Sequence, residues 1–257
     1  PTVAISRYTN RERESLAAAR ELKVGSLLDG NIQRVGDRIR VTVQLVQVHD
    51  GRLLWGGTFE EPFLDVFSIQ DRISARVAEL LLVTLRREEL QRLASRDTQN
   101  DAAYEAYLKA RYLSNERTPE TLCKALAAFT EAIYRDRRYA RAYAGMADSY
   151  ALLGVYGALP TIEAFPKAKA AASAALNIDE TIGEAHTTLA FVKTLYDWDW
   201  AGGEAEFKRA IELSPSYSTA HHWYAINLMS TGRVRDSIAE VERAQALDPL
   251  SPIISTD

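Results

Sequence analysis

Hydrophobic and polar residues alternate along the segment Arg38–Val48, where every second residue from Ile39 to Leu45 is apolar. A period of two is typical of a strand that buries one face. The phase slips at Val46 and Val48, which predicts a β-bulge near the end of this strand.

Turn-forming residues flank this strand on both sides. Gly36-Asp37 separates it from an earlier extended segment, Ser26–Arg34. Asp50-Gly51 is a strong hairpin signal because both residues accept positive φ. The returning strand is predicted over Arg52–Phe59, and Pro62 ends it. These segments predict consecutive antiparallel strands.

Two further patterns complete the first part of the chain. Upstream, Thr2–Arg7 is typical of a short strand and Arg11–Leu22 of a helix. Downstream, apolar residues recur at spacings of three and four, which predicts a long amphipathic helix over Asp65–Leu93. We therefore expect a small α/β module over residues 1–94 and a polar junction over residues 95–101.

The remaining part, residues 102–257, is a repeat. Ala210 and Ala244 are 34 residues apart, as are Pro215 and Pro249. Thirty-four residues is the period of the tetratricopeptide (TPR) helical hairpin. The 43 residues between Ala132 and its equivalent in the next unit predict an insertion of nine residues around Tyr156–Pro166.

The last unit, Ser218–Ser251, shows why the pattern favours a hairpin. Small residues at Ala225 and Ala244 let two helices approach closely, Gly232 suits the turn, and Pro249 stops the second helix. One hairpin cannot bury its apolar faces alone, so the units are expected to stack. The predicted fold class is α+β: a small α/β module with antiparallel strands, followed by an all-α TPR superhelix of about four hairpins.

Composition and charge narrow the function classes. The net charge of −4 gives no broad basic character for nucleic acid, so we expect no nucleic-acid binding by this segment. No apolar run approaches the length of a membrane helix, so we expect no membrane contact here either. The single cysteine, Cys123, excludes an intrachain disulfide. These features do not distinguish cytoplasm from periplasm.

Catalytic motifs are absent from the sequence. There is no phosphate-binding loop of either glycine-rich type and no nucleophile elbow, so we expect no enzymatic activity, no catalytic residues and no cofactor. His186 and His221 stand 35 residues apart, and with His222 they form a candidate metal site. The alternative is that His186 and His221 fill the place of the large residue early in each repeat, and on that interpretation we expect no metal.

Two charged clusters have similarly open interpretations. The acidic and aromatic run Tyr196–Trp200 is either a binding box or the turn between two helices with its aromatic rings packed into the neighbouring unit. A basic run from Arg135 to Arg141 either binds an acidic partner or forms a solvated face.

Parts of the chain resemble known families. Residues 103–251 resemble TPR repeats, and Tyr196–Trp200, Glu204–Leu213 and Ala220–Ala225 resemble the variant found in bacterial multidomain regulators. Residues 20–80 resemble the TolB-N-terminal-like (FlgO-like) α/β module. The matching stretches of that module are Ala19–Val24, Leu28–Gln33, Gly36–Val46, Gly51–Trp55 and Asp65–Asp71.

This pairing is similar to the carboxy-terminal half of winged-helix transcriptional regulators of the acid-response (CadC) type. It is also similar to parts of some adenylate cyclases and receptor-like kinases. The resemblance implies a regulatory module without identifying the attached effector. Relative to that pattern, we expect a first strand and helix to be missing before Pro1 and a capping helix to be missing after Asp257.

The resemblance to TPR arrays also predicts a binding surface, because the first helices of stacked hairpins line a concave groove. By register, the predicted groove positions are Glu105, Lys109 and Tyr112; Arg141, Ala144 and Asp148; Glu184, Thr187 and Phe191; and His222, Ile226 and Met229. Charge mixed with apolar anchors suits an extended peptide or a partner helix. The alternative is a groove that is empty or filled by a segment of the same protein.

The expected function is non-enzymatic protein–protein interaction, as the regulatory or sensory module of a bacterial signalling or transcriptional regulator. The alternatives are the regulatory half of an adenylate cyclase or receptor-like kinase, or a small-molecule sensing domain. A DNA-binding role would require a winged helix upstream of Pro1. The missing strand and helix would leave a strand edge open, so a homodimer through the α/β module is also expected.

Overall fold

The computed structural model describes residues 14–21, 24–35, 38–62, 97–249, 251 and 253–254. The chain divides into two compact units, residues 2–96 and 97–257. The predicted strand Thr2–Arg7 and the predicted helix Asp65–Leu93 lie outside the described residues.

The first unit has an antiparallel sheet. Among its described residues, helix α1 (Glu14–Glu21) precedes three strands that pair in the order β1-β2-β3. The strands are β1 (Ser26–Val35), β2 (Arg38–Gln47) and β3 (Leu53–Pro62). The predicted succession of antiparallel strands is confirmed.

The alternation in β2 produces a one-sided core. Ile39, Val41 and Val43 are buried on one face with Phe59 of β3. The pairing register of β2 with β3 shifts after Leu45, which confirms the predicted irregularity.

The turn between β2 and β3 also follows from local chemistry. Gly51 has φ +72°, and the Asp50 carboxylate accepts the backbone N–H of Arg52 at 3.0 Å. Glycine suits position 51 because it has no Cβ atom that would clash with the backbone in the left-handed region.

The second unit is helical throughout its secondary structure within residues 97–249. Its helices are α2 (Asp101–Asn115), α3 (Pro119–Arg135), α4 (Ala140–Val155), α5 (Thr161–Ile178), α6 (Gly183–Leu195), α7 (Trp200–Leu213), α8 (Ser218–Ser230) and α9 (Val234–Leu247). They pack as four successive hairpins: α2 with α3, α4 with α5, α6 with α7, and α8 with α9. This arrangement and the 34-residue period make it a TPR superhelix, so the predicted fold class is confirmed.

Specific residues begin and end these helices. Asn100 caps α2 by accepting the Ala103 N–H at 3.0 Å. Thr118 and Thr121 form a capping box at the start of α3. Gly232, at φ +76°, makes the turn between α8 and α9 as the sequence predicts.

The fourth hairpin shows how small residues bring two helices together. Ala225 and Ala244 are buried. The buried Ser237 hydroxyl of α9 donates to the Ala225 carbonyl of α8 at 2.8 Å. This bond forms only if the two helix backbones lie close together.

The nine-residue excess in the second hairpin is distributed rather than inserted as one loop. Compared with the fourth hairpin, the first helix is three residues longer, the turn two and the second helix four. The extra residues therefore lengthen both helices toward the turn and extend the edge of the array there.

Candidate functional site

The first helices of successive hairpins lie side by side, since α2 contacts α4, α4 contacts α6, and α6 contacts α8. They form the row that would line the concave side of a curved array. Charged and phenolic side chains of this row, with one residue just before α2 and one just before α8, interact electrostatically. We call them the groove cluster: Arg111, Asp148, Glu184 and Tyr217, with Tyr107, Arg141 and Asp97 beside them.

Arg111 of α2 occupies the centre of the groove cluster. Burial works against the charge of its guanidinium, but the neighbouring Tyr107, Tyr217, Glu184 and Asp148 outweigh burial and raise its pKa. No side chain among the described residues forms a hydrogen bond or ion pair with this guanidinium. Arg111 is therefore a cation with donors available to a bound group.

Asp148 of α4 interacts electrostatically with Arg111. Its Oδ1 atom is buried and has no hydrogen-bond partner among the described residues. Burial raises the pKa of this carboxyl group, although Arg117 and Arg111 act in the opposite direction. A buried, unpartnered carboxylate oxygen costs free energy, on the order of 1–3 kcal/mol, so this atom requires an explanation.

Glu184 and Tyr217 complete the centre from the third and fourth hairpins. Burial, reinforced by Asp148 and Glu184, raises the pKa of the Tyr217 phenol above its ordinary value. The four central residues belong to four different hairpins, so only the stacked array brings them together.

Arg141 joins the cluster at its amino-terminal side. Its Nε atom lies 2.8 Å from Asp97 Oδ2. Burial opposes its charge, but Asp97, Glu184 and Tyr107 raise its pKa. Nearby, the buried Tyr139 hydroxyl has no hydrogen-bond partner among the described residues, and its ring lies 4.9 Å from that of Tyr107.

The structure brings together three of the predicted groove residues: Arg141, Asp148 and Glu184. Arg111 and Tyr217 were not among the predicted groove positions. Arg111 is next to the predicted position Tyr112, and Tyr217 immediately precedes α8. The sequence contained a signal for Arg111. Tyr107 and Arg111 are four residues apart, so they lie on the same face of α2, and Arg111 interacts with Asp148 of α4.

Other predicted groove residues of the first hairpin lie elsewhere. Glu105 and Lys109 line a cavity of about 610 Å³ between α2 and α3 whose walls come from these two helices alone. Lys109 is about 160° around the helix from Arg111, at 3.6 residues per turn. Tyr112 is exposed over 68% of its surface.

Three of the six predicted residues of the third and fourth hairpins, Thr187, Phe191 and His222, are buried. Thr187 donates to the Gly183 carbonyl at 2.9 Å, and the Phe191 ring stacks on Trp223 at 4.1 Å. His222 is buried, Ile226 is half-buried and Met229 is exposed. Ala144, of the second hairpin, is buried as well.

The two repeat-related histidines have equivalent partners. His186 contacts Glu206 Oε2 through Nδ1 at 2.7 Å and the Glu180 carbonyl through Nε2 at 3.0 Å. His221 contacts Glu240 Oε2 at 2.6 Å and the Pro215 carbonyl at 3.2 Å.

Each histidine thus ties the first helix of its hairpin to the second helix and to the preceding loop. Both ring nitrogens are engaged within the hairpin. Within the described residues, no group of three or more histidine, cysteine or acidic side chains is arranged to hold a metal ion.

The acidic and aromatic run is the turn between α6 and α7. Asp197 pairs with Lys169 Nζ at 2.5 Å, and Asp199 caps α7 by accepting the Gly202 N–H at 2.9 Å. The expected packing of its aromatic rings holds for Tyr196, whose ring lies 5.6 Å from Phe165. It was wrong for Trp198, which is 72% exposed.

Two ends of the basic run pair with acidic side chains. Arg135 pairs with Glu131 on the same helix at 2.6 Å, and Arg141 pairs with Asp97 as described above. Within the described parts of the chain, no helix is both long enough and apolar enough to cross a bilayer.

Comparison with known proteins gives partial similarities, and no protein-family model matches the chain. The chain is 28% identical over 104 residues to "Putative adenylate cyclase 3" of Rhizobium meliloti, covering 40% of this chain and 18% of that protein. It is 26% identical over 143 residues to "Transcriptional regulator HilA" of Salmonella typhimurium, covering 56% and 26%. The matched segments are therefore about a quarter or less of these relatives.

Solved structures with a similar chain trace are TPR proteins. A thermophilic TPR protein of Thermus thermophilus, TTC0263, is 17% identical with a TM-score of 0.45, covering 72% of this chain and 95% of that chain. The Arabidopsis OM64 TPR domain is 19% identical with a TM-score of 0.42, covering 52% and 99%.

Proposed function

We propose that this chain is the protein–protein interaction part of a bacterial signalling or transcriptional regulator, and that the groove cluster binds an extended segment of a partner protein. The observation that carries the proposal is the buried, unpartnered Oδ1 atom of Asp148, together with the Arg111 guanidinium, which has no hydrogen-bond or ion-pair partner among the described residues. Selection for stability alone would remove a buried oxygen without a partner and a guanidinium without a partner. A binding site retains such polar groups because a ligand satisfies them.

The cluster has the chemistry to bind a polypeptide. Asp148 and Glu184 offer acceptors, and Arg111 offers donors. An extended peptide presents N–H and C=O groups alternately along its length and can satisfy both kinds of group. The mixed charge of the cluster argues against a partner of strongly uniform charge.

The two curated relatives support two versions of the regulatory role. The match to a transcriptional regulator favours attachment to a DNA-binding effector, and the match to an adenylate cyclase favours attachment to a catalytic one. In either version, this chain contributes recognition rather than catalysis. The resemblance of the first unit to the TolB-N-terminal-like (FlgO-like) module belongs to the same proposal.

The test is selection of a random peptide library on the whole chain, using peptides of about ten residues, which span roughly 30 Å when extended. We expect enriched sequences, and we expect Arg111→Glu to weaken their binding at least about tenfold. Arg138→Glu is the matched control, because Arg138 is an exposed arginine outside the cluster. No enrichment, or equal binding by both variants, would contradict the proposal.

A further inference from the structure

The helical array exposes a strip of large apolar side chains along one edge. This edge is formed by the turns that join the first helix of each hairpin to the second. Of the large apolar residues exposed in this unit, nine lie in or beside the turns of the second, third and fourth hairpins. We call these nine residues the turn strip.

The centre of the turn strip is the turn of the third hairpin. Trp198 is 72% exposed, and Trp200 and Leu195 are partly exposed beside it. The Trp198 and Trp200 rings are 6.0 Å apart. Trp198 has φ +58°, a conformation that costs free energy for a bulky side chain. The Asp197–Lys169 pair and the Asp199 cap hold the turn in this shape.

The strip continues on both sides of this centre. Three residues come from the second hairpin, and three come from the fourth: Val155, Tyr156 and Ile162, and Met229, Val234 and Ile238.

Direct contacts join neighbouring turns. Phe165 of α5 packs on Tyr196 of the third hairpin's turn, and Glu204 of α7 pairs with Arg233 of the fourth hairpin's turn at 2.7 Å. The three turns therefore lie next to one another along this edge.

The size of the strip fits a macromolecular partner. Nine large apolar side chains, each about half exposed, present on the order of 800 Å². A standard protein interface buries about this area on each partner. Exposed apolar patches of this size on soluble domains mark interaction surfaces.

The charged residues along this edge favour a protein partner over a bilayer. Glu163 stands beside Ile162, Asp197 and Asp199 flank Trp198, and Asp236 follows the start of α9. Acidic groups at these positions oppose binding to an anionic membrane surface. Lys169 contacts the third turn and Arg233 lies in the fourth, so the surface carries both signs.

We infer that the turn strip is a self-association surface that pairs with the turn strip of a second copy of this chain. A two-fold interface uses the same patch on both copies, and the strip has three apolar residues on each side of its central tryptophan pair. A two-fold axis at Trp198 places the second-hairpin part of one copy against the fourth-hairpin part of the other.

The test is sedimentation velocity of the whole chain over a concentration series. We expect a reversible dimer and an apparent dissociation constant at least roughly tenfold higher for Trp198→Asp. Tyr134→Asp is the matched control, because Tyr134 is 73% exposed on α3, away from the turns. Circular dichroism checks that each variant is folded.

The predicted geometry has its own test. Ile162→Glu and Ile238→Lys should each weaken the dimer, and the double variant should recover it because the two-fold axis brings the new charges together. A wild-type chain that stays monomeric, a dimer as sensitive to Tyr134→Asp as to Trp198→Asp, or a double variant without recovery would overturn the inference. Capture of a different protein by a monomeric chain would overturn it too.

Discussion

The Phe191 ring stacks on the Trp223 ring with their centroids 4.1 Å apart and their planes 26° from parallel. This contact joins α6 to α8 and lies in the largest buried cluster of the array. Because Phe191 is almost fully buried, its side chain stabilises the stacking of the third and fourth hairpins.

We therefore expect Phe191→Ala to lower the free energy of unfolding by about 3–5 kcal/mol, through lost burial and the cavity left behind. Urea denaturation followed by tryptophan fluorescence and circular dichroism measures this change. Tyr134→Ala is a control with an exposed aromatic ring and an expected loss within about 0.5 kcal/mol. Similar losses for both variants would show that the stack does not support the array.

Glu204 predicts a pH dependence of stability. Hydrogen bonds from Lys208, Arg233 and Tyr224 lower the pKa of this carboxyl group to about 2. Since the folded pKa lies below the unfolded value, the contribution is complete above about pH 4.5 and is lost as the pH falls toward 2. Solvent around the basic partners limits its size to on the order of 1 kcal/mol.

The measurement is the unfolding free energy of the wild-type chain and Glu204→Gln between pH 7 and pH 3. The gap between them should close as the pH falls below about 4.5. Glu212→Gln serves as control, because among the described residues Glu212 pairs only with the exposed Arg209 of its own helix, at 3.3 Å. A gap that is independent of pH would refute the assigned role of Glu204.

The contact of His221 with Glu240 predicts a stability effect inside the fourth hairpin. Glu240 is buried and also accepts from Arg243 Nη1 at 2.8 Å. Glu240→Ala leaves the buried ring nitrogen of His221 without its partner, which we expect to cost about 2 kcal/mol. Thermal unfolding followed by circular dichroism measures this cost. Glu242→Ala, at an exposed position of the same helix, should be neutral in that measurement, and equal effects of the two variants would contradict the assigned role of Glu240.

The sheet of the first unit predicts separate association behaviour. Ile32 of β1 is 74% exposed, and the proposed homodimer through this module would use such a strand. Among the described strands β1 pairs only with β2. We expect Ile32→Lys to reduce association at high concentration without the folding defect of a core change, because a lysine on a strand with an unpaired side opposes pairing with another chain. Light scattering measures this association. An unchanged scattering profile would show that the first unit does not contribute to it.

The hairpins could be predicted from the sequence because the repeat places the same small residues at the same positions. Ala225, Ser237 and Ala244 are buried where the pattern requires them. The strands could be predicted equally well, because the alternation up to Leu45 and the slip after it correspond to the register of β2.

The register of the first hairpin was harder to read because α2 contains four alanines, at positions 102, 103, 106 and 110. Small residues on several sides of a helix allow several registers, and burial of Ala103 and Ala110 decides among them. Arg111 consequently lies in the groove cluster, whereas Lys109 lies on the cavity side. The exposure of Trp198 had no sequence signal, because an aromatic residue in a turn is compatible with either packing or exposure.

The proposed role of Asp148 also predicts how its replacement affects the stability of the free chain. If Asp148 is kept for a ligand, replacing it with the neutral isostere removes a buried, poorly compensated carboxylate from the free chain. Asp148→Asn should then leave the unfolding free energy unchanged or raise it, while it weakens the interaction with the partner segment.

The most direct test of the account is therefore a paired measurement on Asp148→Asn with the peptide that the wild-type chain selects. Calorimetric titration gives its affinity, and urea denaturation gives its stability. We predict an affinity at least about tenfold lower with stability equal to or above that of the wild-type chain. Unchanged affinity together with lower stability would make Asp148 a structural residue and would contradict peptide recognition in the groove.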